Sequence, residues 1–129
     1  MMIFNFLAVG AGAAVGGCMR YALTWALSSG FPLGTLASNL IASLAIGFII
    51  GTERSVGVLP ERIKLLLTTG LLGGLSTFST FSLETVTMLE QSQFVRAGGN
   101  VLLNVALCLM FVVIGLALAK LIFAHSGAA

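Results

Sequence analysis

Charge is what this sequence lacks most. Only 8% of its 129 residues are Asp, Glu, Lys or Arg, whereas 58% are hydrophobic, and the mean hydropathy is +1.11. Soluble domains carry about 25% charged residues, so an ordinary soluble fold is excluded. The net charge of +2, with no cluster of Lys or Arg, also excludes a nucleic-acid partner.

The residues of metal and nucleophilic chemistry are scarce as well. The single histidine, His125, lies in a short tail, and the two cysteines, Cys18 and Cys108, fall in separate apolar runs, where we interpret them as buried thiols and not as a disulfide. No Cys/His cluster could bind a metal, and neither Ser76 nor Ser79 has a base to activate it. The sequence therefore predicts that the protein is not an enzyme.

Long apolar runs, in contrast, recur along the whole chain and are separated by short polar breaks. They predict four membrane-spanning helices in one transmembrane domain, residues 1–129, with spans at about 3–27, 35–52, 63–89 and 98–123. The first run is longer than the core of a signal peptide, so we expect it to be retained. A polar loop, ERSVGVLPER, is expected at 53–62. The glycine pairs Gly12/Gly16 and Gly47/Gly51 predict close helix contacts.

The few positive charges give only a weak indication of orientation. With four spans, both termini and the loop after the second span share one side, which carries four Lys or Arg residues against two on the other. This bias is compatible with insertion in both orientations, and it leaves an antiparallel dimer open. The four residues are Arg54, Arg62, Lys64 and Lys120, and the two are Arg20 and Arg96.

A polar stretch, GGLSTFSTFS at residues 73–82, lies in the middle of the third predicted span. The segments on either side, Ile63–Leu72 and Phe78–Leu89, are ten and twelve residues long, so each crosses about half of a roughly 30 Å hydrocarbon core. Glycines and hydroxyls weaken a helix, and open backbone offers carbonyls to a cation and N–H groups to an anion. We predict a helix broken at the membrane midplane. The alternative is a continuous helix whose hydroxyls bond back to its own carbonyls.

Asparagines mark one face of each of two other spans. Asn39 and Ser43 are four residues apart on the second span, and Asn100, Asn104 and Cys108 repeat this spacing on the fourth. Asparagine is costly in hydrocarbon unless it is paired. We interpret Asn39 as lining a polar path and Asn100 as forming an interhelical hydrogen bond.

The acidic residue that proton coupling needs is missing from the middle of the spans. Glu84 lies about 12 Å along the helix from the interruption, towards a membrane face, and the other glutamates lie in or beside loops. Neutral amide and hydroxyl donors, together with the ring edges of Phe78 and Phe81, suit an anion. The residues alone therefore predict passive permeation of a small ion, with an anion favoured.

The motif GGLSTFSTFS, preceded by TTG at 68–70 and followed by Leu83 and Glu84, resembles the signature of the Fluc (CrcB) family of bacterial fluoride channels. PLGTLASNL, residues 32–40, is similar to that family's second-helix entry, and Arg20 matches its arginine. The resemblance extends over the whole chain in length, span number and motif order. It implies an all-α membrane protein with four helices per subunit, assembled as an antiparallel, dual-topology homodimer with two fluoride pores in the bacterial inner membrane.

The resemblance also implies roles for individual residues. Backbone carbonyls of Gly73 and Ser76 from both subunits would ligate one structural Na+ that is not transported. Arg20 and Glu84 would lie in vestibules. The pore residues would be Asn39, Phe78, Phe81, Ser79, Thr80, Ser82, Asn104 and Cys108.

At two of these positions the sequence departs from familiar members of the family. Asn104 stands where a His or Tyr can occur, and it keeps a hydrogen-bond donor. Cys108 stands where a serine is familiar, and a thiol is the weaker donor.

Two other functions remain open from the sequence. Small drug-exporting antiporters also have four spans and an antiparallel dimer, but they need a carboxylate in the first span, which here has no Asp or Glu. A packing subunit without transport is supported only by the glycine spacings. The leading prediction is export of fluoride by passive permeation, which would reduce fluoride toxicity.

Overall fold

The long apolar runs form helices in the computed structural model, which describes residues 1–57 and 59–123. The first span is Met2–Ala26, the second Leu33–Val56, the third Glu61–Glu90 and the fourth Phe94–Phe123, and each is long and apolar enough to cross a membrane. No strand occurs in these described residues. The chain is therefore an all-helical, multi-pass membrane protein, as predicted. His125 lies outside the described residues.

The polar loop after the second span is shorter than predicted. The second span continues past Thr52 to Val56 and is followed by Gly57, whose φ of 108° favours glycine. The charged residues of the last turn remain helical because long side chains can reach water and each other. Here the Glu53 carboxylate pairs with the Lys64 ammonium at 2.9 Å, which joins the second span to the third. The fourth span also begins earlier than the predicted residue 98, at Phe94.

Glycines allow the spans to pack in two close pairs. Gly16 of the first span faces the third span, where a Cβ would meet the Leu71 carbonyl oxygen and lie 2.8 Å from the Leu75 nitrogen. Gly47 of the second span faces the fourth, where a Cβ would meet the Val112 carbonyl oxygen. Gly12 and Gly51, four residues from Gly16 and Gly47 respectively, are also in close contact with the third and the fourth span. These contacts confirm the helix packing predicted from the glycine spacing.

Gly16→Ala is expected to lower the thermal stability of the protein, whereas Gly17→Ala is not. The methyl group at position 16 meets backbone atoms that cannot rotate away, and such overpacking costs about 1–3 kcal/mol. At Gly17 nothing lies within 4 Å of an added Cβ, and alanine there favours the helix by up to about 1 kcal/mol. Melting temperatures of the two variants in detergent measure this difference. Equal melting temperatures would contradict the packing.

Polar side chains lie inside the bundle and apolar ones cover its outside. Ser38 and Asn100 are 0% exposed and Thr35 is 1% exposed, whereas Val95 and Leu121 are 90% and 72% exposed. Apolar side chains such as Leu75 are buried as well, at 1% exposed, so it is the apolar outer surface that differs from that of a protein in water and suits one surrounded by lipid. Interior polar groups in such a protein must be paired with one another, and most of the pairing occurs around the third span.

Candidate functional site

The helical backbone of the third span is interrupted at Ser76 and Thr77. Their φ/ψ angles are −78°/152° and −152°/119°, so both residues are extended. The helix before them ends at Leu75 and the helix after them begins at Phe78. Because a helical N–H bonds to the carbonyl four residues earlier, the interruption leaves main-chain groups that need other partners.

Asn39 of the second span provides these partners for Thr77. Its Oδ1 accepts the Thr77 N–H at 2.8 Å, and its Nδ2 donates to the Thr77 carbonyl at 3.3 Å. The Thr77 hydroxyl accepts the N–H of Thr80 at 3.2 Å and so caps the helix that begins at Phe78. A side chain from another span thus holds the residue at which the new helix starts.

Arg20 of the first span contacts the other side of the interruption. Its Nε donates to the Gly74 carbonyl at 3.1 Å. This carbonyl belongs to the last turn before the interruption, where the helix dipole places partial negative charge, so a cationic side chain is favourable there.

Carbonyls at the interruption, including those of Gly73 and Ser76, lose their regular helical donors. The Gly73 carbonyl loses its donor because the Thr77 N–H bonds to Asn39. The Ser76 carbonyl loses its donor because the Thr80 N–H bonds to the Thr77 hydroxyl. These are the two main-chain oxygens that the family resemblance assigns to a cation.

A cavity of about 330 Å³ opens beside the interruption and brings together side chains from the second, third and fourth spans. Its lining is mixed, with amide, hydroxyl, thiol and aromatic groups. Five residues predicted for the pore contribute to it: Asn39, Phe78, Phe81, Asn104 and Cys108. Ser43, Ser76 and Thr77 add three hydroxyls.

The two phenylalanines of this cavity have very different surroundings. Their ring centroids are 5.4 Å apart with an interplanar angle of 58°, a tilted arrangement that aromatic pairs favour. Phe81 is 7% exposed, whereas Phe78 is 77% exposed. Phe81 is therefore fixed by packing within the chain, and Phe78 projects from its surface.

Three further predicted pore residues lie outside the lining of this cavity. Ser79 is exposed, and its hydroxyl lies 3.3 Å from that of Thr77. The Thr80 hydroxyl accepts from the Thr77 hydroxyl at 3.0 Å. The Ser82 hydroxyl donates to the Phe78 carbonyl of its own helix at 2.8 Å. This is the bond back to the helix backbone that the alternative of a continuous third helix assigned to these hydroxyls.

The asparagine face of the fourth span meets that of the second. The Asn39 Nδ2 donates to the Asn104 Oδ1 at 2.9 Å, and the Asn104 Nδ2 donates to the main-chain and side-chain oxygens of Asn100 at 3.1 and 3.0 Å. Asn100 in turn donates to the hydroxyl of Thr85 in the third span at 3.0 Å. This bond confirms the interhelical role predicted for Asn100.

Glu84 lies in a separate cavity of about 480 Å³ near the start of the second span. Its Oε1 accepts the Thr35 hydroxyl at 2.6 Å, and its Oε2 is buried with no hydrogen-bond partner among the described residues. Arg96 contributes to this cavity, whereas Arg20 lies at the interruption. Arg20 and Glu84, which the resemblance assigns to vestibules, therefore lie at two separate places in the structure.

Sequence reasoning missed three threonines of this region, Thr35, Thr77 and Thr85. Each acts as a partner for a polar group of another residue, and hydroxyls are frequent in this chain, so composition does not distinguish them. Thr77 alone carries a local signal, since it directly precedes the start of a helix, where threonine is a favourable cap. Thr35 lies one turn before Asn39, a spacing that places both on one face of the second span.

Four apolar helices that enclose paired amides, hydroxyls and a carboxylate define a small multi-pass membrane protein with a polar interior. The chain belongs to the CrcB family, because residues 7–116 match the family of CrcB-like proteins described as Camphor Resistance (CrcB). This membership confirms the family predicted from the third-span motif.

The relatives of this chain are named as ion channels. The fluoride-specific ion channel FluC of Clostridium perfringens is 40% identical over 121 residues, which cover 91% of this chain and 94% of that protein. The FluC of Bordetella avium is 46% identical over 118 residues, covering 91% and 94%, and that of a Sulfurovum species is 42% identical over 127 residues, covering 95% and 99%. A family of ion channels confirms the prediction that the protein is not an enzyme.

Proposed function

We propose that this chain forms a fluoride-selective channel through which cytoplasmic fluoride leaves a bacterial cell passively across the inner membrane, which reduces fluoride toxicity. The main support is the cavity beside the interruption, where neutral hydrogen-bond donors meet two aromatic rings. The names of the relatives support the choice of ion. None of the described residues lining this cavity is acidic, which fits permeation without proton coupling.

Hydrogen-bond donors and ring edges would hold the ion in this cavity. Fluoride is small and a strong hydrogen-bond acceptor, so compact neutral donors favour it over chloride. The amide hydrogen that Asn39 donates to a main-chain carbonyl at 3.3 Å is held by the longest of its bonds and is the easiest to redirect. Ser43 and Cys108 add a hydroxyl and a thiol. The edges of Phe78 and Phe81 add positive potential.

Hydroxyls on the second half of the third span would continue the path. The hydroxyls of Ser79 and Thr80 both lie within hydrogen-bond distance of the Thr77 hydroxyl that caps this helix, and Ser82 follows on the same helix. Both amide hydrogens of Asn104 bond to Asn100, so Asn104 would contribute mainly by orienting its neighbours.

A second copy in the opposite orientation would complete two pores. Phe78 lines the cavity but is 77% exposed, so in the single chain the cavity is open on the side of Phe78. Gly73 is exposed as well, and its added Cβ would have only the Thr68 carbonyl oxygen near it, at 3.7 Å. The weak bias of positive charge fits a subunit that inserts both ways. An antiparallel, dual-topology homodimer satisfies these observations.

A structural Na+ would bind between the two copies. The Gly73 and Ser76 carbonyls, freed from their helical donors, are the hard oxygen ligands that such a cation prefers. In the described part of the chain no group of three His, Cys, Asp or Glu side chains could hold a metal instead. The bound cation would neutralise these carbonyls and add positive potential near the pores.

Arg20 and Glu84 would act at vestibules of the dimer. Arg20 adds a positive charge beside the interruption. Glu84 lines the larger cavity together with Arg96, and this cavity would open the path at the end of the second half of the third span.

The proposed function is tested by ion efflux from liposomes that contain the purified protein. We expect fast fluoride efflux, with chloride largely excluded. Protein purified without Na+ is expected to lose fluoride flux and to recover it when Na+ is restored, because the freed carbonyls then repel one another. Equal fluxes of fluoride and chloride would refute the selectivity, and full flux without Na+ would refute the cation site.

A further inference from the structure

A continuous chain of hydrogen bonds runs from Thr85 to the interruption in the third span. It passes through three amides, those of Asn100, Asn104 and Asn39, and ends at the main-chain N–H of Thr77. Its bonds measure 2.8–3.0 Å. Asn104 is 5% exposed, and Asn100 is 0% exposed and does not line the cavity, so water cannot readily replace a partner that Asn100 loses.

The direction of this chain is fixed at both ends. At one end the Thr77 main-chain N–H can only donate, so Asn39 must present its Oδ1 there and its Nδ2 to Asn104. At the other end the Thr85 hydroxyl donates its single hydrogen to the Phe81 carbonyl at 2.8 Å, so its oxygen must accept from the Asn100 amide. Reversing any one amide would place two donors or two acceptors face to face.

We propose that Asn100 is a positioning residue for the pore. It provides two acceptors that orient the Asn104 amide, and Asn104 in turn orients Asn39. Asn39 then holds Thr77, from which the helix bearing Phe78 and Phe81 begins. Asn100 is not among the residues that line the cavity, so it acts through its neighbours and does not contact the ion.

The first test uses backbone amide signals in NMR spectra of the full-length protein in detergent. Asn100→Leu has a similar volume but no polar side-chain atoms, so Asn104 keeps only the main-chain carbonyl as its acceptor and the link to Thr85 is lost. The variant is expected to shift the Thr77 amide signal and to speed its hydrogen exchange by about tenfold, as for a lost hydrogen bond. In Asn100→Asp the buried carboxyl, in its protonated form, keeps an acceptor for Asn104 and donates its O–H to Thr85, so it is expected to restore slow exchange. An unchanged Thr77 signal in Asn100→Leu would overturn the proposal.

Ser38→Ala is the matched control. Ser38 is also 0% exposed, and its hydroxyl bonds only to the Gly34 carbonyl of its own helix. This variant is expected to leave the Thr77 signal and its exchange rate unchanged, although it loses a buried hydroxyl next to Asn39. An equal effect in Ser38→Ala and Asn100→Leu would show general loosening of the bundle and would overturn the proposal.

If Asn100→Leu does not fold, Thr85→Val tests the same chain. Valine matches threonine in shape and removes the terminal acceptor, together with the hydroxyl's own bond to the Phe81 carbonyl of the same helix. The side-chain amide signals of Asn100 and Asn104 are then expected to shift, and unchanged signals would overturn the proposal.

Fluoride flux provides a second measurement, which alone rests on the proposed function. Asn100→Leu is expected to lower flux about tenfold through the lost hydrogen bond, Asn100→Asp to recover most of it, and Ser38→Ala to match the unchanged protein. Normal flux in Asn100→Leu would overturn the proposal. A complete lack of fluoride flux in the unchanged protein would refute the proposed channel, while the Thr77 signal would still decide the role of Asn100.

Discussion

Phe81→Ile is expected to reduce fluoride efflux from liposomes by about tenfold while leaving the protein folded. Isoleucine is apolar and fills most of the same space, so the substitution costs about 1.5 kcal/mol or less in packing. What it removes is the positive ring edge, whose attraction for an anion is the counterpart of the attraction of a ring face for a cation, which is worth about 0.5–2 kcal/mol. A loss of about 1.4 kcal/mol corresponds to tenfold. Phe81 is only 7% exposed, so packing within the chain holds its ring in place beside the cavity.

Phe48→Ile is the control for this prediction. Phe48 also belongs to an aromatic pair, with its ring 6.4 Å from that of Phe123, but it does not line the cavity beside the interruption. We expect normal flux in this variant and a similar small change in melting temperature. Normal flux in Phe81→Ile, with the melting temperature little changed, would refute the role of the ring.

Asn39→Leu is expected to abolish flux and to lower the melting temperature as well. Leucine removes the acceptor of the Thr77 N–H, and a buried main-chain donor without a partner costs about 1–3 kcal/mol. It also removes the donor to Asn104 at 2.9 Å and the cavity's most available amide hydrogen. The substitution therefore affects both the geometry of the interruption and the chemistry of the cavity.

Asn5→Leu provides the comparison for this loss. Asn5 donates to the Glu61 carboxylate at 3.2 Å near one end of the bundle, where the contact is exposed, so its removal is expected to change neither flux nor melting temperature. Flux in liposomes and thermal unfolding in detergent are measured for both variants. A stable, conducting Asn39→Leu protein would show that Thr77 finds another partner and that its hydrogen bonds to Asn39 are dispensable.

Several features of the fold could be predicted because they depend on local patterns. Apolar run length gives the spans, and the glycine spacing gave the close contacts of Gly16 and Gly47. The predicted bounds of the second span, 35–52, were too short, since the helix extends from Leu33 to Val56. Hydropathy detects where charge begins, whereas a helix continues until its backbone hydrogen bonds end. Glu53 is charged and helical, with Lys64 as its partner.

The candidate site was harder to predict because it depends on contacts between distant residues. Spacing placed Asn39 on one helix face and Asn104 on another, but it could not show that they bond to each other or that Asn39 holds Thr77, which is 38 residues away. Nor could spacing separate Arg20 from Glu84, since both stand at helix positions compatible with a vestibule. Partner choice is set by where the helices cross, and no local pattern encodes that.

Hydropathy and a long specific motif are properties of the chain alone, and they were enough to predict that this protein is all-helical, resides in a membrane and belongs to a family of ion channels. Which polar groups meet depends instead on how the helices pack. In a bundle surrounded by lipid each buried amide and hydroxyl must find a partner within the protein, and the available partners are fixed by the packing of the spans. That packing brings Asn39 to Thr77 and frees the Gly73 and Ser76 carbonyls from their helical donors.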